Sequence, residues 1–401
     1  MSDSFVSMWA ELADIGRDDS TGGYRRFAWT RIDSDLREWF AAECAKRGLD
    51  LTEDRMGNQW AWWGDPDAAP GQGVVTGSHL DSVPDGGAFD GPLGVVTALA
   101  AVDALQAQGF QPARPVGVAS FVDEEGARFG VACAGSRVLT GALSPDRARS
   151  LRDAQGITMA EALTTAGRDA VAIGPDPEVL HRIGAFVELH VEQGRGLVDL
   201  DQPVAVGSHI WPHGRWRYDF PGQANHAGTT GLSDRRDAMI GYAETVLAAR
   251  SAAARRGCLA TMGKVRVQPG AVNAIPSAVT GWLDARGVDP EAVRSAVAEA
   301  SATAAASGAT VTEESWTDAT AFDVDLSGQL RHLLADAPLL GTGAGHDAGV
   351  LATAGIPTGM LFVRNPTGVS HSPAEWADPA DCLAGVAALT TVLADLAGST
   401  R

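Results

Sequence analysis

Four short apolar segments, each running straight into a polar cluster, limit what this chain can become. "GVVTGS" leads into "HLD" at 79–81, and "PVGVASFV" into "DEEG" at 123–126. "IGAFVE" leads into "LHVEQG", and "TGMLFV" into "RNPTGVSH", which ends at His371. Apolar runs without alternation read as strands covered on both faces, the habit of strands joined through helices. "GPLGVVTALAAVDALQAQG" is such a helix and stops at Gly109. The expectation is an α/β chain with a largely parallel or mixed sheet. Functional residues in such sheets gather beyond the carboxyl ends of strands, where all four polar clusters fall.

The middle of the chain changes character. From about Gly207 a strand ("GRWRYDFPG"), a helix, two strands ("LATMGKVRVQ" and "SAVTGWLDARG"), a second helix and a strand ("TVTEESW") follow. That β-α-β-β-α-β order is the pattern of a ferredoxin-like sandwich, expected at residues 208–317. It would be inserted into a larger domain made of residues 1–207 and 318–401, whose first 50 residues read as helices. The Ala-rich "AVAEASATAAASG" reads as an exposed helix.

Composition removes several function classes. With 50 acids against 31 bases the net charge is −19, a field that repels phosphate backbones, so no nucleic-acid partner is expected. A local arginine can still hold a small anion. The four cysteines form no CxxC pair, which excludes cysteine zinc fingers and fits reduced thiols in a cytoplasm. No apolar run of bilayer length and no secretion signal are read, so neither a membrane nor export is expected.

"GSHLDSVPDGGAFDGPLGV", "DEEGARFG", "ELHVEQG", "ANHAGTT", "PGAVNAIPSAVTGWLDARG", "GAGHDAG" and "GVSHSPAEW" form one ordered set. It resembles the dinuclear zinc amidohydrolases of the M20 peptidase-like superfamily. Within that superfamily it is most similar to allantoate amidohydrolases, N-carbamoyl-L-amino acid hydrolases and β-ureidopropionases. The likeness runs from about residue 50 to residue 380. It implies an aminopeptidase-like catalytic domain, with the inserted domain acting as a lid and as the contact of a homodimer.

The same resemblance implies site roles. His79, Asp90 and His190 would hold one metal, and Asp90, Glu125 and His371 a second, with Asp90 bridging. Glu124 would be the general base, and Asp81 would orient His79. Gln193, His226, Asn273 and Arg286 would grip the substrate, His226 also stabilising the oxyanion. The peptide after the bridging acid is often cis in the family, so Asp90–Gly91 is expected cis. Elementary chemistry agrees with a shared carboxylate, since two cations roughly 3.5–4 Å apart need one. Imidazole and carboxylate without thiolate suit zinc, with manganese, cobalt and nickel as alternatives.

His190 stands where the superfamily's peptidases carry an acid, which argues against a peptidase. The expected activity is hydrolysis of a linear, non-peptide C–N bond in a small anionic ureido acid, such as allantoate or an N-carbamoyl-L-amino acid. A deacylase of an N-formyl or N-acyl amino acid is the nearest alternative. A non-catalytic binding protein on the same fold is the alternative of another class, opposed by the full ligand set with Glu124. The chain departs from the family at "GTTGLSDRRDAM", where "GTTPM" is usual, and at Arg364, an arginine many members lack. Arg364 has two readings: turned to solvent, or facing the pocket to read a second acidic or polar group of the substrate. His346 and Asp347 suggest support behind the ligands, while His181 and His213 read as ordinary.

Overall fold

The computed structural model describes residues 2–68 and 71–400. In chain order the strands are β1 (Asp50–Glu53), β2 (Gln59–Trp63), β3 (Gly73–His79), β4 (Val116–Phe121), β5 (Ile183–Val191), β6 (Val204–Ile210) and β7 (His213–Pro221). They continue with β8 (Leu259–Gln268), β9 (Ala278–Arg286), β10 (Thr310–Thr317), β11 (Thr320–Ala321), β12 (Leu339–Thr342) and β13 (Thr358–Val363). The chain divides into two compact units, Met1–Ser208 with Ala321–Arg401, and His209–Thr320.

A nine-stranded mixed sheet runs in the order β1-β2-β4-β3-β5-β13-β6-β11, with β12 paired to β6. Its centre, β4-β3-β5-β13, is parallel. β1, β2 and β6 pair antiparallel on the flanks. β3, β4 and β13 are buried along their whole length, as their unbroken apolar runs require. Gly77 in β3 takes φ +143°, and a Cβ there would lie 2.0 Å from the carbonyl oxygen of Ala119. Only glycine allows that approach of β3 to β4.

The helices Pro92–Ala107 and Pro379–Ala397 pack on each other and on this sheet. The second is apolar enough by length and composition to cross a bilayer, with 19 residues and mean hydropathy 1.6, contrary to the sequence expectation. Its apolar residues, Val386, Leu389, Val392 and Leu393 among them, instead fill the core beneath the sheet. Full burial of each is worth about 1.5–3 kcal/mol.

The smaller unit follows the order β7, helix Ala238–Arg256, β8, β9, helix Pro290–Ala306, β10. Its four strands are antiparallel in the order β10-β7-β9-β8. β7 alternates cleanly: Trp216, Tyr218 and Phe220 face the core while Arg215, Arg217 and Asp219 do not. Both helices start on an aspartate cap, Asp237 and Asp289, whose side chains accept a first-turn N–H. The Ala-rich stretch, expected to be an exposed helix, is exposed on one face only, at Ala298, Ala302, Ala305 and Ala306. Ala296, Ala300 and Ala304 are buried beside Ala249, Ala252 and Ala253, because small side chains let the two helices approach closely.

Candidate active site

The parallel strands deliver their polar ends to one place. His79 closes β3, His190 lies near the end of β5, and Asp123–Glu125 follow β4. Asp90 sits in the turn before the helix Pro92–Ala107, and His371 lies on the loop beyond β13. Asp90 is the hub. Its Oδ1 lies 3.2 Å from His190 Nε2 and 3.7 Å from His79 Nε2, and its Oδ2 lies 3.4 Å from His371 Nε2. His371 Nε2 is also 3.6 Å from Glu125 Oε2. Asp90 belongs to two of three candidate ligand groups among the described residues, His79–Asp90–His190 and Asp90–Glu125–His371, the third being Glu188–His190–His346.

The ring nitrogens are oriented from behind. His79 Nδ1 lies 3.1 Å from the carbonyl of Asp81, and His190 Nδ1 lies 2.9 Å from the carbonyl of Val191. A carbonyl can only accept, so both protons sit on Nδ1 and both Nε2 lone pairs face the cluster. Those two Nε2 atoms, together with Glu125 Oε1, are buried and have no hydrogen-bond partner. Buried polar atoms left unpaired around a shared carboxylate are the donor set that a divalent cation satisfies.

Asp81 does more than face His79, whose Nδ1 is 3.4 Å from its Oδ1. Its two oxygens accept the backbone N–H groups of Glu124 and Glu125, each at 3.1 Å. One carboxylate thereby ties the end of β3 to the acidic loop after β4. Gly91, not a cis bond, turns the chain after Asp90: Asp90–Gly91 is trans, and among the described residues the cis peptide is Gln268–Pro269. Gly91 takes φ +86°, and a Cβ there would lie 2.4 Å from His79 Cε1. The left-handed turn brings Asp90 under the imidazole without a cis peptide.

Electrostatics follow the crowding. Against burial, the imidazoles of His190 and His371 beside it hold the Asp90 carboxyl well below the usual carboxylate range. Burial, aided by the carboxylates of Asp347 and Glu125 and opposed by His79, pushes Glu124 well above it. Burial and then Asp90 push Glu125 up to about 7. The Asp90 hydrogen bond raises His371 to about 9. Of these raised carboxyls, Glu124 lies outside both groups around Asp90, which suits it to exchange a proton.

Glu375, Asn365 and Glu188 had no role assigned from sequence, while His346 and Asp347 were expected behind the ligands. Glu375 accepts the backbone N–H of Phe89 and of Asp90, at 2.8 and 3.0 Å, and the Ser370 hydroxyl at 3.0 Å. It fastens the Asp90 turn to the His371 loop. Asn365 Oδ1 accepts from the N–H groups of Thr367 and Gly368, shaping the same loop. Glu188 receives the Ser78 hydroxyl and the Ala348 N–H, and the His346 ring lies 4.5 Å from that of His190. His346 is buried with Nε2 unpartnered, and burial beside His190 holds it well below the usual histidine range. Asp347 takes the Ser136 hydroxyl at 2.5 Å. Nothing in periodicity or spacing marks the Glu375, Glu188 and Asp347 pairings across the chain, because these contacts join distant segments.

Gln193 is drawn into the cluster: its Nε2 donates to Asp90 Oδ2 at 2.8 Å. Arg364 is not. Its guanidinium is forked on Asp381 at 2.8 and 3.0 Å and reaches Asp201 at 3.1 Å. The sharper expectation for it, reading an acidic group of the substrate, is withdrawn, since two carboxylates already take its donors.

In the smaller unit His226 and Asn273 meet. His226 bridges Ala274, and the Ala227 N–H donates to the Asn273 carbonyl, extending the β7–β9 ladder past Pro221 and Ala278. Arg286 lies at the other end of that ladder, opposite His213, with its guanidinium forked on Asp284 at 2.7 and 2.6 Å. The structure therefore brings two of these three residues together and carries the third away.

The chain is similar to known proteins in sequence and fold. The sequence pattern of Peptidase family M20/M25/M40 matches residues 75–395. An N-carbamoyl-L-amino acid amidohydrolase of Geobacillus stearothermophilus is 37% identical over 393 residues, 94% of each chain. An allantoate amidohydrolase of Escherichia coli strain K12 is 31% identical over 400 residues, 96% of each chain. Among solved structures, an amidase of the hydantoinase/carbamoylase family from Burkholderia vietnamiensis superposes with a TM-score of 0.87 at 29% identity, covering 99% of this chain and 97% of that one.

Proposed function

The chain belongs to Peptidase family M20/M25/M40, and on that premise we propose that it is a metal-dependent amidohydrolase acting on ureido acids such as allantoate or N-carbamoyl-L-amino acids. The observation that carries the reading is the Asp90 hub with three histidines and Glu125 around it, two of the imidazole nitrogens buried without a partner. His79, Asp90 and His190 would hold one divalent ion, and Asp90, Glu125 and His371 a second, zinc being the expected ion. Bound there, the ions would acidify a water and polarise the scissile carbonyl.

The chain's own groups do the rest. Glu124 takes the proton of the attacking water and returns it to the nitrogen that leaves as the C–N bond breaks. The smaller unit, a ferredoxin-like sandwich by strand order, acts as a lid. His226 donates to the developing oxyanion, and Asn273 and Gln193 hold the amide end of the substrate. Arg286, oriented by Asp284, pairs with the substrate carboxylate.

These roles favour a homodimer. Arg286 and the His226–Asn273 pair stand at opposite ends of β9. Its length from Ala278 to Arg286 is roughly 27 Å at ~3.4 Å per residue, more than one small substrate spans. One site would take Arg286 from its own chain and His226 with Asn273 from its partner, or the reverse. The exposed edge strand β8, beside the exposed Ile240 and Leu247, is a surface for such a contact. Coexpressed in equal amounts, Arg286→Ala and His226→Ala chains should recover about a quarter of wild-type activity, since half the dimers are mixed and each keeps one intact site. Activity no higher than in either variant alone would exclude a shared site. The four free, buried cysteines suit a reducing compartment, and we assign the protein to the cytoplasm.

The substrate class is tested by incubating the metal-loaded protein with allantoate, N-carbamoyl, N-formyl and N-acetyl amino acids. Release of ammonia from the first two supports the reading. Formate or acetate release alone would make it a deacylase, and turnover of none would leave a binding protein.

A further inference from the structure

The backbone of Val122–Glu124 lies in a cradle made by the segment Cys133–Gly135. Three successive N–H groups of that segment, of Cys133, Ala134 and Gly135, donate to the three carbonyls of Glu124, Asp123 and Val122. Gly135 makes the fit possible, since a Cβ there would lie 2.4 Å from the carbonyl oxygen of Val122. Cys133 itself is held at φ +53°, a left-handed conformation that is strained for a non-glycine residue. That conformation lets one residue address Glu124 twice: its N–H meets the Glu124 carbonyl, and its Sγ lies 3.2 Å from Glu124 Oε1. Among the described residues no other side chain donates a hydrogen bond to this carboxylate. The second oxygen, Oε2, then faces the cluster, 3.7 Å from His79 Nε2.

We propose that Cys133 is a positioning residue for Glu124, its thiol fixing Oε1 so that Oε2 is the oxygen presented to the reacting water. The thiol is buried beside carboxylates, keeps its proton and stays a donor. A freely turning carboxylate would present the wrong oxygen, or the wrong angle, for part of the time. Loss of the donor therefore lowers the rate of the proton transfer while leaving substrate affinity and metal content alone. This rests on the reading of Glu124 as the general base.

The test compares Cys133→Ala, Cys133→Val, Cys133→Ser and Glu124→Gln, using whichever ureido acid the wild-type protein hydrolyses. Ala and Val should lower kcat about tenfold, the scale of one weak hydrogen bond to a charged group, with KM and metal content unchanged. Ser keeps a donor and should stay within about threefold of wild type. In the Glu124→Gln background, adding Cys133→Ala should change kcat no further, whereas misfolding would lower it again. A Ser variant as slow as Ala, or a wild-type kcat in Ala, overturns the proposal. Near wild-type turnover in Glu124→Gln overturns the base assignment instead, and the two failures are distinct.

Discussion

In the larger unit, residues scattered from His79 to His371 converge on Asp90, because four parallel strands end at one edge of the sheet. In the smaller unit, Asn273 and Arg286 are near neighbours in sequence and yet stand at opposite ends of an antiparallel ladder. The first region is mutually oriented and largely buried, with His371 at its exposed side. The second is a set of exposed or partly exposed side chains. Sequence distance is thus a poor guide to a shared site. Strand direction decides, since parallel strands repeat the same end and antiparallel strands alternate ends.

The largest effect that would sharpen this contrast is on Glu124. Glu124→Gln keeps the shape and removes the proton exchange, so turnover should fall roughly 10²–10⁴-fold with bound metal unchanged by elemental analysis. Next comes the tie between the two ligand loops. Glu375→Ala leaves the N–H groups of Phe89 and Asp90 without their acceptor. Metal affinity should drop about 10–100-fold in a competition titration with a chelator, and undiminished affinity would show that the tie is dispensable.

A third effect breaks the comparison if it goes the wrong way. His226→Ala and Asn273→Ala should cost about 10²–10³ in kcat/KM with full metal content, the loss expected for one oxyanion donor. Metal loss in either would mean that the smaller unit takes part in holding the ions. Arg364→Ala should be milder still. Its partners Asp381 and Asp201 are structural, so kcat/KM should shift alike for acidic and apolar substrates while the melting temperature falls. A selective loss on acidic substrates would reinstate Arg364 as a specificity residue.

The smallest effect is on acid stability. Against burial, the hydrogen bond and charge of Arg286, with Arg215, hold Asp284 below its usual 3.8. A lowered folded value contributes stability that is complete above the unfolded value and is lost as pH falls through the folded one. Arg286→Ala should therefore move the acid-unfolding limb below pH 4 upward. A superimposable limb, followed by tryptophan fluorescence, would assign Arg286 no structural part.

Much of the larger unit was legible because its signals are local. An unbroken apolar run predicts a covered strand, and a polar cluster at its end predicts a site residue, as with His79 after β3 and Glu124 after β4. The alternation of Trp216, Tyr218 and Phe220 announced β7 in the same way. Illegible were the pairings. The sequence alone determined which residues could form strands and core, through residue chemistry and short-range period, while the ligand and base roles came from the family resemblance. Only the tertiary structure decided that Arg364 pairs with Asp381, that Glu375 holds the Asp90 turn and that Cys133 meets Glu124. It also decided that the apolar last helix lies in a core, and that Gly91 turns with a trans bond. Each of these depends on which distant segment arrives alongside, and a side chain's partner is chosen by the packing of whole elements, not by its neighbours along the chain.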